Sequence, residues 1–130
     1  MRPYAPLDHL SIPVADLARA GAFYDAVLAP LGLKSLHTRP QARGYGASHP
    51  VFWLLARRQE GAAKSGFGLH IAFGAETREA VDAFHKAALA GGGTDNGAPG
   101  LRPEYHPHFY GAFVLDPDGV KIEAVCHRKT

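Results

Sequence analysis

The chain has 130 residues, 46% of them hydrophobic, and its 14 basic and 12 acidic residues leave a formal charge of +2. This size suits one compact domain, and the scattered basic residues argue against a nucleic-acid-binding surface. No apolar run approaches the ~20 residues that span a bilayer, no secretory signal is evident, and the single cysteine fits a reducing compartment, so we expect a cytoplasmic protein without a membrane partner.

The first half of the chain reads as a strand, a helix and three further strands. Residues 7–14 alternate as a strand, and Asp16 stands where a helix N-cap is expected. Apolar residues at helical spacing predict a helix over 17–29, which Pro30 and Gly32 end. Short strands are then predicted at residues 33–38, 43–47 and 51–57.

The second half repeats this order. After a turn or linker at 61–66, a strand is predicted over 67–74 and a helix over 77–90, with a glycine stop at 91–93. A strand pair is then predicted around LDPDGVKIEAV, residues 115–125, whose Asp-Pro-Asp-Gly is a turn signal.

The two halves are an internal repeat. A shift of 61 positions places His9 on His70 and Phe23 on Phe84, so that strand matches strand and helix matches helix. Each unit has one helix to cover one face of a small sheet, and the uncovered faces must be shared.

This repeat predicts an α+β fold. We expect one domain over residues 1–130 with two βαβββ modules, one at about 5–60 and one at about 66–127. Their curved mixed sheets would surround a shared cavity, with the helices outside.

Two histidines and one glutamate are the candidate metal ligands. The repeat brings His9 and His70 to facing positions, and Glu123 in VKIEAV is costly to bury without a charge partner. One divalent cation satisfies all three groups and leaves positions for a substrate; Fe, Mn, Zn, Ni and Co all suit these donors. The alternatives are structural histidines and a Glu123 paired with Lys121 or Arg128.

Several further residues are candidates for binding the substrate. Aligning VFWLLARR with VKIEAVCH sets Leu54 opposite Glu123, where it cannot coordinate a metal. Ser11 shares the cavity face with His9, and no general base is assigned. The loop RPEYHPHFYG, residues 102–111, is irregular and rich in polar groups, as functional loops often are. Its candidate contacts are His106, His108 and Tyr110.

The stretches DHLSIPVADLARAGAFYDAVLAPLGLK, GLHIAF and DPDGVKIEAV resemble the vicinal oxygen chelate superfamily. That superfamily includes glyoxalase I, extradiol dioxygenases, fosfomycin-resistance transferases and bleomycin-resistance proteins. The resemblance implies paired βαβββ modules, a homodimer, and a divalent metal held by His9, His70 and Glu123 that chelates adjacent oxygens of a small-molecule substrate. It also implies that Leu54 replaces the fourth protein ligand of glyoxalase I.

These observations favour a metal-dependent enzyme, with a glyoxalase-like lyase or isomerase first. A thiol transferase or a ring-cleaving dioxygenase is the alternative within the enzymes. A metal-free small-molecule binder of the bleomycin-resistance type is the alternative outside them.

Overall fold

The computed structural model describes residues 4–56 and 69–130. The predicted linker at 61–66 lies outside these ranges, as do the last residue of the strand predicted at 51–57 and the first two of the strand predicted at 67–74. No helix within the described ranges is long and apolar enough to cross a membrane.

The first half folds into one helix and four strands, as predicted. Helix α1 begins after Asp16, whose side chain accepts a hydrogen bond from the backbone N–H of Arg19. A 3₁₀ turn over Ala29–Leu31 follows it and ends at Gly32, whose φ of 82° is readily adopted by glycine. The elements are β1 (Leu10–Val14), α1 (Leu17–Leu28), β2 (Lys34–Arg39), β3 (Ala42–Gly46) and β4 (Phe52–Ala56).

The second half has the same order with one strand broken in two. Helix α2 begins after Thr77, whose hydroxyl accepts a hydrogen bond from the N–H of Ala80. Two unpredicted short strands, β6 (Thr94–Asp95) and β7 (Gly100–Leu101), both pair with β8 (Tyr110–Leu115) and flank Gly97, whose φ is 148°. The elements are β5 (His70–Gly74), α2 (Arg78–Ala90), β6 (Thr94–Asp95), β7 (Gly100–Leu101), β8 (Tyr110–Leu115) and β9 (Lys121–Cys126).

The strands form two mixed sheets with matching topology. Sheet A has the order β1-β4-β3-β2, and sheet B has the order β5-β9-β8-β6, with β7 also beside β8. In each sheet the first strand pairs in parallel with the last, and the other pairs are antiparallel. The predicted α+β fold of two βαβββ units is therefore confirmed.

Each sheet buries one face under the helices, and no described helix covers its other face, although Phe113, Glu123 and Val125 on that face of sheet B are also buried. In β5, Ile71 and Phe73 are buried, whereas His70, Ala72 and Gly74 are exposed. Helix α1 packs against α2, and Phe52 of sheet A meets Phe73 of sheet B at 5.3 Å between ring centroids. We call the uncovered faces the open face of sheet A and the open face of sheet B.

Candidate metal centre

The open face of sheet B holds a close histidine–carboxylate pair. His70 begins β5, and Glu123 lies in β9, where it pairs with Ala72. His70 Nε2 is 2.6 Å from Glu123 Oε1. The Glu123 side chain is 5% exposed, and its Oε2 is buried without a hydrogen-bond partner among the described residues. A buried carboxylate oxygen without a partner is costly, so this atom is suited to a ligand cation.

Aromatic and cationic side chains surround this pair. A depression of about 370 Å³ is lined by the pair together with Tyr105, Phe109, Phe113 and Lys121. The ammonium of Lys121 lies 5.1 Å from the centroid of the Phe113 ring, a cation–π arrangement. These side chains explain how a carboxylate on an open face is almost fully shielded from solvent.

The open face of sheet A carries the other predicted ligand. His9 precedes β1, with its side chain 54% exposed and its Nδ1 2.8 Å from Asp8 Oδ1. A proton on Nδ1 that is donated to Asp8 leaves Nε2 with a free lone pair, the form in which histidine binds metals. His9 lines a depression of about 420 Å³ together with Ser11, Arg39 and Trp53.

Among the described residues of one protomer, the predicted ligands line two separate depressions. His9 lines one depression, and His70 and Glu123 line another. Within residues 4–56 and 69–130, no three His, Cys, Asp or Glu side chains form a metal-binding group. One protomer thus brings together two of the three predicted ligands.

Comparison with known proteins identifies the family. The profile of the Glyoxalase/Bleomycin resistance protein/Dioxygenase superfamily matches residues 6–124. The chain belongs to this superfamily. A glyoxalase/bleomycin resistance protein from Albidiferax ferrireducens T118 is 32% identical, with a TM-score of 0.82 over 95% of this chain and 100% of that chain. Among curated proteins, no sequence matches the chain significantly.

Two more distant structures show the superfamily fold alone. An enzyme of the glyoxalase/bleomycin resistance protein/dioxygenase family from Burkholderia phytofirmans PsJN is 24% identical, with a TM-score of 0.73 and coverage of 95% of this chain and 100% of that chain. A glyoxalase I mutant from Zea mays is 22% identical, with a TM-score of 0.68, and the match covers 94% of this chain and 47% of that chain. The predicted resemblance is therefore confirmed at the level of the superfamily.

The prediction that Leu54 is the counterpart of Glu123 and faces the substrate is wrong. In sheet A, Ser11 pairs with Trp53, and the repeat places Ser11 on Ala72, the partner of Glu123 in sheet B. Trp53 is therefore the counterpart of Glu123 in this superfamily member, and Leu54 is fully buried under the helices. The cause is a slip of one residue in the sequence alignment, which moves a strand side chain to the opposite face of the sheet.

The prediction for Tyr110 as a substrate contact is also wrong. Tyr110 packs against the core on the helix side of β8, and its hydroxyl donates a 2.6 Å hydrogen bond to Asp82 Oδ1 on α2. That hydrogen bond raises the pKa of the Tyr110 phenol. In β8, the positions on the open face of sheet B are Gly111, Phe113 and Leu115, which pair with Val125, Glu123 and Lys121.

His106 and His108 lie in the expected loop, but neither lines the depression around Glu123. His106 Nδ1 accepts a hydrogen bond from the backbone N–H of His108, and His106 Nε2 is 2.6 Å from His127 Nδ1. His106 also stacks on His127, with ring centroids 4.8 Å apart. Their role in substrate binding stays a prediction, as does that of Ser11.

Several residues that line the two depressions were not predicted as site residues, Arg39 and Trp53 among them. Trp53 alternates with the buried Phe52 and Leu54 in β4, and this alternation is a visible signal in the sequence. Four others line the depression around Glu123, where β8, β9 and the preceding loop bring them together. They are Tyr105, Phe109, Phe113 and Lys121.

Proposed function

We propose that this superfamily member is a divalent-metal-dependent enzyme, a glyoxalase-like lyase or isomerase, in which one two-module domain binds a small substrate through adjacent oxygens. The observation that carries the proposal is the pair of His70 and Glu123 on the open face of sheet B. The pair presents one nitrogen and one carboxylate donor, and its second carboxylate oxygen lacks a partner among the described residues.

The third donor, His9, is proposed to come from a second copy of the chain. Because no described helix covers either open face, a twofold dimer can set sheet A of one protomer against sheet B of its partner. His9 of one protomer then meets His70 and Glu123 of the other, and the symmetry produces two equal sites.

Apolar surface beside the open faces supports this dimer. Strands β1 and β5 lie at the edges of their sheets, and a groove of about 280 Å³ between them is lined mainly by apolar side chains. Leu7, which lines this groove, is 71% exposed. Covering such a groove with a second copy would bury apolar surface and protect two strand edges.

The residues of the chain have separate tasks in this proposal. His9, His70 and Glu123 would hold the metal, which supplies Lewis-acid polarisation of a substrate oxygen when bound. Tyr105, Phe109 and Phe113 shield the Glu123 carboxylate from water, which strengthens its interaction with any cation. Trp53, at the position equivalent to Glu123, adds no metal ligand, so the protein supplies three donors and leaves positions open for the substrate.

Mixed dimers provide the sharpest test. We expect His9→Ala and Glu123→Ala to lose bound metal as separate homodimers, measured by elemental analysis of protein purified without chelator. Co-refolded in equal amounts, they should regain about a quarter of the wild-type metal, because half of the dimers contain one intact site. His85→Ala is the control, since His85 pairs with Asp95 away from both open faces.

Two outcomes of these metal measurements would contradict the proposal. Wild-type protein without stoichiometric metal would overturn the metal-dependent function. Separate variants that lose metal but do not recover it on mixing would place the three donors in one protomer and overturn the shared site.

The second candidate is a metal-free small-molecule binder. The observation that favours it is the half-buried indole of Trp53 in the depression on the open face of sheet A, which can hold a ligand without any metal. Wild-type protein that binds aromatic compounds but takes up no stoichiometric divalent metal when metal is supplied would select this function.

A further inference from the structure

We infer that the open face of sheet A is a recognition subsite for a planar aromatic group bearing a carboxylate, with Trp53 as the stacking surface and Arg39 as the anion partner. This inference rests on the proposed function, because it names the substrate class of the same cavity.

Trp53 lies on the open face because of the register of sheet A. It pairs with Ser11 on one side and with Gly44 on the other, and Gly44 pairs with His37 of β2. A Cβ atom at Gly44 would lie 2.9 Å from the indole ring, so the ring lies across a strand position where only glycine leaves room. The absence of a side chain at Gly44 therefore leaves the room in which the indole lies against the sheet.

The indole is flanked by groups suited to binding a flat anion. The His37 ring stacks beside it, with centroids 5.9 Å apart and planes 26° apart. The guanidinium carbon of Arg39 lies 5.7 Å from the centre of the indole ring. Aromatic rings prefer offset or edge contacts at such distances, and arginine also stacks on aromatic faces.

Arg39 has no carboxylate within salt-bridge distance in the described part of the chain. Its guanidinium can therefore bind a carboxylate in a two-pronged arrangement. Arg39 and Trp53 line the same depression of about 420 Å³, a volume in the range of small-molecule sites.

Structural roles do not explain this arrangement. A core tryptophan would lie on the helix side, where Phe52 and Leu54 already fill the space. In the proposed dimer, the open face of sheet A meets the site of His70 and Glu123 in the partner. A ring stacked on Trp53 would then place its substituents toward the proposed metal ligands.

The test uses full-length protein and matched probes. We expect β-naphthoate to bind about tenfold more tightly than its fully saturated counterpart, decalin-β-carboxylate, in isothermal titration calorimetry, because only the aromatic ring stacks. Trp53→Leu should remove this preference, and Trp53→Phe should retain part of it. Trp53 is the only tryptophan, so its single indole N–H resonance should shift on titration with naphthoate.

The role of the positive charge on Arg39 is tested separately. Arg39→Met should weaken naphthoate binding about tenfold and leave the binding of uncharged β-naphthol unchanged. Lys34→Met is the matched control, because Lys34 is an exposed cation on the same strand that does not line the depression. It should leave the binding of both probes unchanged.

Equal affinity for the two acids, or a preference that persists in Trp53→Leu, would overturn the inference. Each measurement is repeated after treatment with EDTA. Aromatic preference in protein that takes up no divalent metal when Co(II) is added back keeps the subsite and refutes the metal-dependent function, whereas metal-loaded protein without aromatic preference refutes the subsite alone.

Discussion

The open faces of sheets A and B have the same topology and different chemistry. Trp53 and Glu123 hold equivalent places, since each lies in the last strand of its unit and pairs across a parallel ladder with equivalent residues, Ser11 and Ala72. Glu123 has a histidine at 2.6 Å and a buried oxygen without a described partner, whereas Trp53 has a histidine and an arginine beside its ring.

This comparison shows how a duplicated scaffold can divide its tasks. A twofold arrangement of identical units would supply pairs of identical ligands. In the proposed function, an indole at the carboxylate position would remove one metal ligand from the first unit, add a recognition surface there and leave the backbone register unchanged. We therefore expect substitutions at the two positions to affect different measurements.

The largest expected difference is in metal affinity. Glu123→Ala should weaken Co(II) binding more than about a hundredfold, because it removes an anionic ligand. Loss of a residue that only hydrogen-bonds to a metal ligand already weakens metal binding about 10–100-fold. Trp53→Leu should change the affinity less than about twofold. Titration followed by the visible absorption of Co(II) measures both, and an equal loss in the two variants would show that the open faces do not divide the tasks in this way.

The next largest effect tests which face of β4 each residue occupies. Leu54→Ala should lower the free energy of unfolding by about 2–5 kcal/mol, because Leu54 is fully buried. Leu55→Ala, on the open face, should cost less than about 1 kcal/mol. Urea unfolding at equal protein concentrations measures both values. Equal costs would contradict the register of sheet A.

Much of the fold could be predicted because the repeat preserves spacing. Leu17 and Arg78, the first residues of α1 and α2, are separated by the same 61 positions as His9 and His70. The alternation in VKIEAV correctly placed Lys121, Glu123 and Val125 on one face of β9. These features follow from local periodicity, which the sequence displays directly.

The errors arose where non-local contacts decide the structure. The register of β4 is determined by its hydrogen bonds to β1, where Leu10 pairs with Phe52, and an ungapped alignment of strand letters does not contain that information. Tyr110 was placed in a loop, but pairing with Cys126 makes it the first residue of β8 and turns it toward α2. The small strands β6 and β7 likewise exist only through their pairing with β8.

A smaller effect is expected at the contact between the two units. Tyr24 of α1 donates a 2.6 Å hydrogen bond to the buried Asp116 in the turn between β8 and β9. Tyr24→Phe leaves that carboxylate oxygen without its partner and should cost about 1–3 kcal/mol at neutral pH. The cost should fall in acid, where Asp116 is protonated and its oxygen is a weaker acceptor.

The direction of the pH effect follows from burial, which raises the pKa of the Asp116 carboxyl above its ordinary 3.8. The native state binds a proton at Asp116 at a higher pH than the unfolded state does. Protonation of Asp116 therefore stabilises the fold fully below pH 3.8, and this stabilisation is lost as the pH rises through the native pKa. Asp116→Asn should abolish this contribution in urea unfolding at a series of pH values. An unchanged pH profile would exclude Asp116 as its source.

The smallest effect is expected at Tyr110, on the helix side of sheet B. Tyr110→Phe removes an exposed hydrogen bond to Asp82 and should change the free energy of unfolding by less than about 0.5 kcal/mol. Because the side chain points away from the open face, Co(II) and naphthoate binding should both stay within about twofold of the wild type. A clear loss of either ligand would mean that β8 presents its other face to the substrate, and the assignment of Phe113 to the open face would then be wrong as well.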